Sequence, residues 1–287
     1  MAMNYVNKLV LGTVQFGLNY GINNSSGQVP EDEVYRILSL AKEHNIHTLD
    51  TSSAYGNSEE VLGKTIGRGD FDFKIVSKYP QGKDPVSSVF SRSLKALRQS
   101  HLYAYLVHHF DFYRSNPDVW EQMMTLKANG SVDKIGFSIY TTDQLQYLLD
   151  RNVPFDIIQF PYNIFDRQFD PYLSELKRRG VEIHTRSVFL QGLFFRDVER
   201  LTPQLQPLGK YLQCMDRYCK EHAISKEMCA LSFVLQNPYI DGVLIGVDNV
   251  RQLQQNIQAA QCVADFKELA GQLIIKEKEL LNPSNWK

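Results

Sequence analysis

The sequence predicts one (β/α)8 barrel of the TIM type, a single domain over residues 1–287, and three observations carry that expectation. Short β-rich apolar runs alternate with longer segments of helical period along the whole chain. Eight such units occur in a length somewhat over the ~250 residues typical of a closed barrel. No composition shift, internal repeat or low-complexity linker divides them.

The strand candidates are Lys8 to Leu11, Thr48 to Asp50, Phe73 to Val76, Ala104 to Val107, Lys134 to Ser138, Phe155 to Gln159, Val181 to Thr185 and Gly242 to Ile245. After the first, Pro30 and the acids Glu31, Asp32 and Glu33 suit a helix start, and Val34, Ile37, Leu38 and Ala41 recur at helical spacing. After the third, Pro85 precedes Val86, Val89, Phe90, Leu94 and Leu97 along one face. Similar faces occur at Leu145 to Leu149 and at Val250, Leu253 and Ile257. The largest interruption is Gly192 to Leu208, followed by helical stretches near Lys210 to Lys220 and Lys226 to Leu235. In a barrel it lies over the carboxyl ends of the strands. The segment from Asp265 reads as helical through Leu281, leaving little chain to close a pocket, so a fairly open pocket is expected. A doubly wound sheet is weaker, because no Gly-x-Gly-x-x-Gly joins a strand to a helix; Gly67-Arg68-Gly69 follows a helix at the wrong spacing.

With 43% hydrophobic and 22% charged residues the composition is that of an ordinary soluble globular protein. A net charge of -1 and no block of like charge argue against nucleic-acid or membrane-surface partners. No leader pattern or ~20-residue apolar run is present, so a cytosolic protein is expected, a monomer or weak homo-oligomer. Cys214, Cys219, Cys229 and Cys262 have no zinc spacing and read as reduced thiols, with no metal site expected.

Chemistry concentrates at Asp50, Tyr55, Lys78 and His108, each at or just beyond the end of a strand candidate. If all strands are parallel, these residues share one rim. A phenol with an ordinary pKa of ~10 can donate a proton to an oxygen gaining negative charge. The Lys78 ammonium would lower that pKa, Asp50 would hold the ammonium by a charge-assisted hydrogen bond, and His108 could orient a carbonyl. The set suits hydride delivery to a carbonyl carbon, with a cofactor as hydride source.

The run Asp50-Thr51, Tyr55-Gly56 and Ser58-Glu59, with Lys78 and His108 closing the next two strands, resembles the aldo-keto reductase family of (β/α)8 nicotinamide-dependent oxidoreductases. The likeness covers nearly the whole chain. It extends through Leu11-Gly12-Thr13, Gln15-Phe16-Gly17, Ile135-Gly136-Phe137-Ser138, Gln159, Tyr162-Asn163, Asp166-Arg167, Gln191-Gly192-Leu193, Gln252-Leu253 and Asn256. The resemblance implies Tyr55 as proton donor, Lys78 and Asp50 as its tuning pair, and His108 rather than His109 as the carbonyl-orienting group. It implies Ser138 and Gln159 for the nicotinamide carboxamide and Asn256 for adenine. Gly12, Thr13, Gln191, Gly192, Gly246 and Gln252 join them as candidate cofactor residues.

Three positions depart from the family pattern. Ile139 replaces an Asn that contacts the carboxamide. Arg186 replaces the aromatic residue that stacks on the nicotinamide ring; its guanidinium plane can stack in turn, or grip the pyrophosphate. Gly246-Val247-Asp248 and Gln252 stand where relatives preferring NADP present cations, and Asp248 would repel a 2′-phosphate, although Arg251 could turn inward. NADP(H) is the family default, with NAD(H) close beside it. The expected substrate is a small carbonyl compound or alcohol, including sugar-like ones. Its candidate contacts are Phe16, Tyr79, His109 and Tyr140, with Phe110, Phe165, Phe189 and Phe194 as further aromatic lining. The alternatives are a non-catalytic nucleotide sensor on the same fold, whose signature would be loss of the Tyr or Lys, and a barrel lyase using Lys78 as a Schiff-base amine.

Overall fold

A computed structural model describes residues 4–22, 24, 27–69, 71–261, 266–273, 275 and 277–286. Strands β1 (Leu9–Gly12), β2 (Thr48–Asp50), β3 (Lys74–Tyr79), β4 (Leu102–Val107), β5 (Val132–Ser138), β6 (Ile157–Pro161), β7 (Glu182–Arg186) and β8 (Gly242–Gly246) close into a barrel in chain order. Every neighbouring pair is parallel, and β1 pairs with β8 to complete the ring. The predicted fold class is the observed one.

Several strands run one to three residues past their predicted ends. Apolarity stops at Val76, but the ladder continues through Ser77, Lys78 and Tyr79 opposite Tyr105, Leu106 and Val107. The polar residues expected just beyond the strands are therefore held by the sheet itself.

Period-2 alternation sorts the side chains. On one parity, Val76, Ala104, Leu106 and Ile157 form a small apolar cluster of their own, the narrow filling of the barrel. On the other, Ile75, Tyr105, Phe137, Ile158 and Ile183 join the large core between barrel and helices. That core is met by amphipathic helices such as Glu31–Glu43, Ser58–Arg68, Val86–Leu97 and Val250–Gln261. Asp50 and Lys78 have the parity of the filling and turn inward.

The long segment after β7 carries the helices Gly209–Glu221 and Lys226–Leu235. A second apolar cluster, including Phe165, Leu190, Phe194, Leu208, Met215 and Leu273, ties this segment to the β6 loop and the carboxyl-terminal stretch. That stretch departs from the expected continuous helix: a short helix Lys267–Gln272 is followed by single turns at Lys278–Leu281 and Pro283–Asn285. Cys262 and Asp265 lie outside the described residues.

Candidate active site

The structure brings Asp50, Tyr55, Lys78 and His108 together at the carboxyl rim. Lys78 is 1% exposed and Asp50 2%. The Lys78 ammonium donates to Asp50 Oδ1 at 2.5 Å and to the Thr51 carbonyl at 2.8 Å, and reaches the Tyr55 hydroxyl at 3.5 Å. An ammonium has three N–H donors, so this set engages all of them. The other Asp50 oxygen accepts from Gln159 Nε2 at 2.8 Å. The carboxylate is thereby fixed from two sides, and Gln159, expected to serve the carboxamide, gives one of its two amide N–H groups to Asp50.

Tyr55 sits on the loop between β2 and the helix Ser58–Arg68, and close backbone contact locks that loop. A Cβ on Gly17 would lie 1.8 Å from the Tyr55 carbonyl, and one on Gly56 would lie 2.3 Å from the Gly17 carbonyl. Gly56 also has φ 57°, which glycine adopts without strain. Ser58 fastens the same loop to β1, donating to the Thr13 carbonyl at 2.9 Å. The Tyr55 and His108 rings meet edge to face at 5.7 Å, and Ser52 Oγ lies 3.2 Å from His108 Nδ1.

Burial sets the electrostatics. It raises the Tyr55 phenol above its ordinary pKa, with Asp50 adding to the shift and the Lys78 and Arg186 charges opposing it. The lowering expected from Lys78 alone is thus outweighed, and Tyr55 is a held proton rather than a phenolate. Burial also pulls Lys78 down, but Asp50 and Tyr55 together keep it above its usual value. His108 is lowered to about 2 by burial and by the charges of Lys78, His109 and Arg186, so it is neutral at ordinary pH.

A cleft of about 520 Å³ opens onto this rim. Its wall includes Asp50, Tyr55 and His108, and every candidate cofactor residue: Gly12, Thr13, Ser138, Gln159, Arg186, Gln191, Gly192, Gly246, Asp248, Gln252 and Asn256. Lys78 lies behind the wall, its ammonium 3.5 Å from the Tyr55 hydroxyl. Two buried acceptors in the cleft, Asp248 Oδ1 and Gln15 Oε1, have no hydrogen-bond partner among the described residues. Gln15 packs so closely on Gly246 that a Cβ there would lie 2.5 Å from Gln15 Nε2. A cleft of this volume with two orphan acceptors fits a nicotinamide dinucleotide with its hydroxyl and amide donors.

The substrate candidates divide. Tyr140 and Phe189 line the cleft. Tyr79 does not: with Lys78 inward, alternation turns Tyr79 outward, where it is buried and donates to the Asp84 carbonyl at 2.7 Å. Phe16 is buried in the main core on the turn Val14–Gly17, as is Phe110, while Phe165 and Phe194 pack in the second cluster. His109 is exposed beside His108 at 4.8 Å between ring centres, outside the cleft wall.

Arg186 lies on the cleft wall. Its guanidinium lies over the Tyr140 ring at 3.9 Å and donates to the Ile139 carbonyl at 3.1 Å. Tyr20, Asn24, Phe195, Glu227, Gln255 and Pro283 also line the cleft and carry no role in the sequence reading. Pro283 brings the carboxyl-terminal segment to the edge of the cleft. Tyr20 had a usable signal, a polar aromatic in the loop after β1 on the functional rim. The loop after β7 is backbone-strained, with positive φ at Ser187, Leu190 and Gln191, a pattern that clusters at functional sites.

Residues 8–271 match the model of the aldo/keto reductase family. L-galactose dehydrogenase from Arabidopsis thaliana is 27% identical over 274 residues, covering 88% of this chain and 85% of the relative. L-glyceraldehyde 3-phosphate reductase from Escherichia coli K12 is 25% identical over 300 residues, covering 88% and 86%. Among solved structures, the holo form of an aldo-keto reductase from Bacillus halodurans superposes with a TM-score of 0.71 at 20% identity, covering 94% of each chain. A barrel closed in chain order, a cleft at its carboxyl rim and a match over nearly the whole length place this chain in the aldo/keto reductase family of oxidoreductases.

Proposed function

We propose that this chain reduces a sugar-like aldehyde or ketone to the alcohol, or runs the reverse reaction, with Tyr55 as the proton-transferring group. The observation that carries the reading is the Lys78 ammonium spanning Asp50, Thr51 and Tyr55 beside His108. A bound nicotinamide dinucleotide supplies or takes up the hydride. Tyr55 gives its proton to the carbonyl oxygen as that oxygen becomes an alkoxide, and Lys78 steadies the phenolate left behind. Neutral His108 has Ser52 Oγ 3.2 Å from Nδ1, and in the tautomer that accepts there its Nε2 proton is the donor to the same oxygen. Two of the relatives are named for work on sugar-type carbonyls or alcohols, which supports that substrate class. A Schiff-base role for Lys78 is disfavoured, because such lysines need a lowered pKa and a free lone pair.

For the cofactor we propose NAD(H) over the family's NADP(H) default. Asp248 accepts from Gln252 Nε2 through Oδ2 at 3.2 Å, which leaves Oδ1 buried and unpaired. A ribose hydroxyl can donate to that oxygen, whereas a 2′-phosphate would meet like charge. Titration with NADH and NADPH tests this: NADH should bind more tightly, and Asp248→Lys should shift the ratio toward NADPH by about tenfold or more. An unchanged ratio rejects the cofactor assignment, and failure to bind either nucleotide rejects the enzyme reading.

A further inference from the structure

We infer that Arg186 reads an anionic group on the substrate, so that the preferred substrate is a carbonyl compound carrying a carboxylate or phosphate near its carbonyl. The inference rests on the reductase reading and names a substrate class for that same site. Arg186 ends β7 with inward parity and lines the cleft beside Tyr140 and Tyr20. Its charge acts on the Tyr55 and Tyr20 phenols and on His108, which puts it at the proton-transfer end of the cleft.

Its bonding leaves it incomplete. A guanidinium has five N–H donors in a fixed fork, and among the described residues one bond to a carbonyl, from Nη2 to Ile139, is what it makes. No carboxylate among the described residues forms an ion pair with it. Asp166, whose field it shares, accepts instead from the Gln168 side chain. The Tyr140 ring holds one face of the guanidinium, fixing the plane of the fork, which matches carboxylate and phosphate geometry.

Tyr20 adds a second donor. Its hydroxyl accepts from Gln191 Nε2 at 2.7 Å, and a phenol, with an ordinary pKa of ~10, keeps its own proton to give at neutral pH. A cation with spare donors and a protonated phenol beside the reacting position form a receptor for an oxyanion. A purely neutral substrate would leave that charge without an answer.

The cofactor pyrophosphate is the other source of an oxyanion, and the test separates the two. The charged probes are glyoxylate and glyceraldehyde 3-phosphate, and the neutral reference is glyceraldehyde. For the wild type, kcat/KM should favour the charged carbonyls. In Arg186→Gln the charged-to-neutral ratio should fall by about 10- to 100-fold, and Arg186→Lys, which keeps the charge but loses the fork, should lie between. Binding is read without turnover as the Tm shift given by glyoxylate and by inorganic phosphate to protein saturated with NAD+, where the pyrophosphate positions are filled. A shift in the wild type that disappears in Arg186→Gln supports the inference. No wild-type shift, an equal shift in both proteins, or an unchanged ratio with weakened nucleotide binding overturns it. If neither nucleotide binds, the reductase reading fails, and the same comparison of shifts on nucleotide-free protein still decides the role of Arg186.

Discussion

Lys78 and Asp50 form a buried ion pair whose two members are costly to separate. Removing one partner leaves an uncompensated charge and typically costs about 3–5 kcal/mol, whereas replacing both with apolar groups of similar size is often neutral or stabilising. Lys78→Met should therefore lower stability by that amount in denaturant unfolding. The double variant Lys78→Met, Asp50→Leu should recover most of the stability while remaining inactive. Recovery of activity along with stability would show that the pair is structural.

His108 makes the folded state sensitive to acid. Its folded pKa, about 2, lies below the ~6.5 of an unfolded histidine. Above pH ~6.5 both states are neutral; between ~6.5 and about 2 the unfolded chain takes up a proton that the folded chain refuses. Stability from this group is thus fully present above pH ~6.5 and falls on acidification, by at most about 1.4 kcal/mol per pH unit. His108→Gln should make the fall of Tm between pH 6.5 and 4.5 shallower, and an unchanged slope would mean that His108 titrates normally in the fold.

Among elements, the loop carrying Tyr55 is positioned by close backbone contact with Gly17 as well as by the Ser52 and Ser58 side chains. Gly17→Ala cannot be accommodated without moving the Tyr55 backbone, since the added carbon would overlap its carbonyl. A shift of about 1 Å in a catalytic group can cost about 100-fold in rate. The variant should lose kcat by that order with a stability loss of about 1–3 kcal/mol, read by steady-state kinetics and urea unfolding. Full activity would show that the loop position is not critical.

The same scale explains what was legible in the sequence. Strand order, parallel pairing and the tetrad followed from hydrophobic period and from motif order, because those signals are local. Tyr79 was misplaced although its position was readable: the alternation that turns Lys78 inward turns Tyr79 outward. Phe16, Phe110, Phe165 and Phe194 were chosen for ring chemistry, but only packing decides whether a loop aromatic faces core or cleft. The partners of Arg186 and Gln159 were not legible, because each meets groups more than forty residues away.

At the scale of the molecule, the parallel barrel gathers the ends of β1 to β8 at one rim, and the segment after β7 and the carboxyl-terminal turns wall the cleft above it. Two regions meet there: the group of Asp50, Tyr55, Lys78 and His108, and a cleft wall that carries Arg186 and Asp248. Whether Tyr55 moves the proton is measured most directly by carbonyl reduction in a single turnover by wild type and Tyr55→Phe, with nucleotide affinity measured on both. Phenylalanine keeps the ring and removes the proton. We expect a loss of about 10²–10⁴-fold in the reduction rate with nucleotide affinity retained; equal rates in the two proteins would rule out Tyr55 as the proton donor.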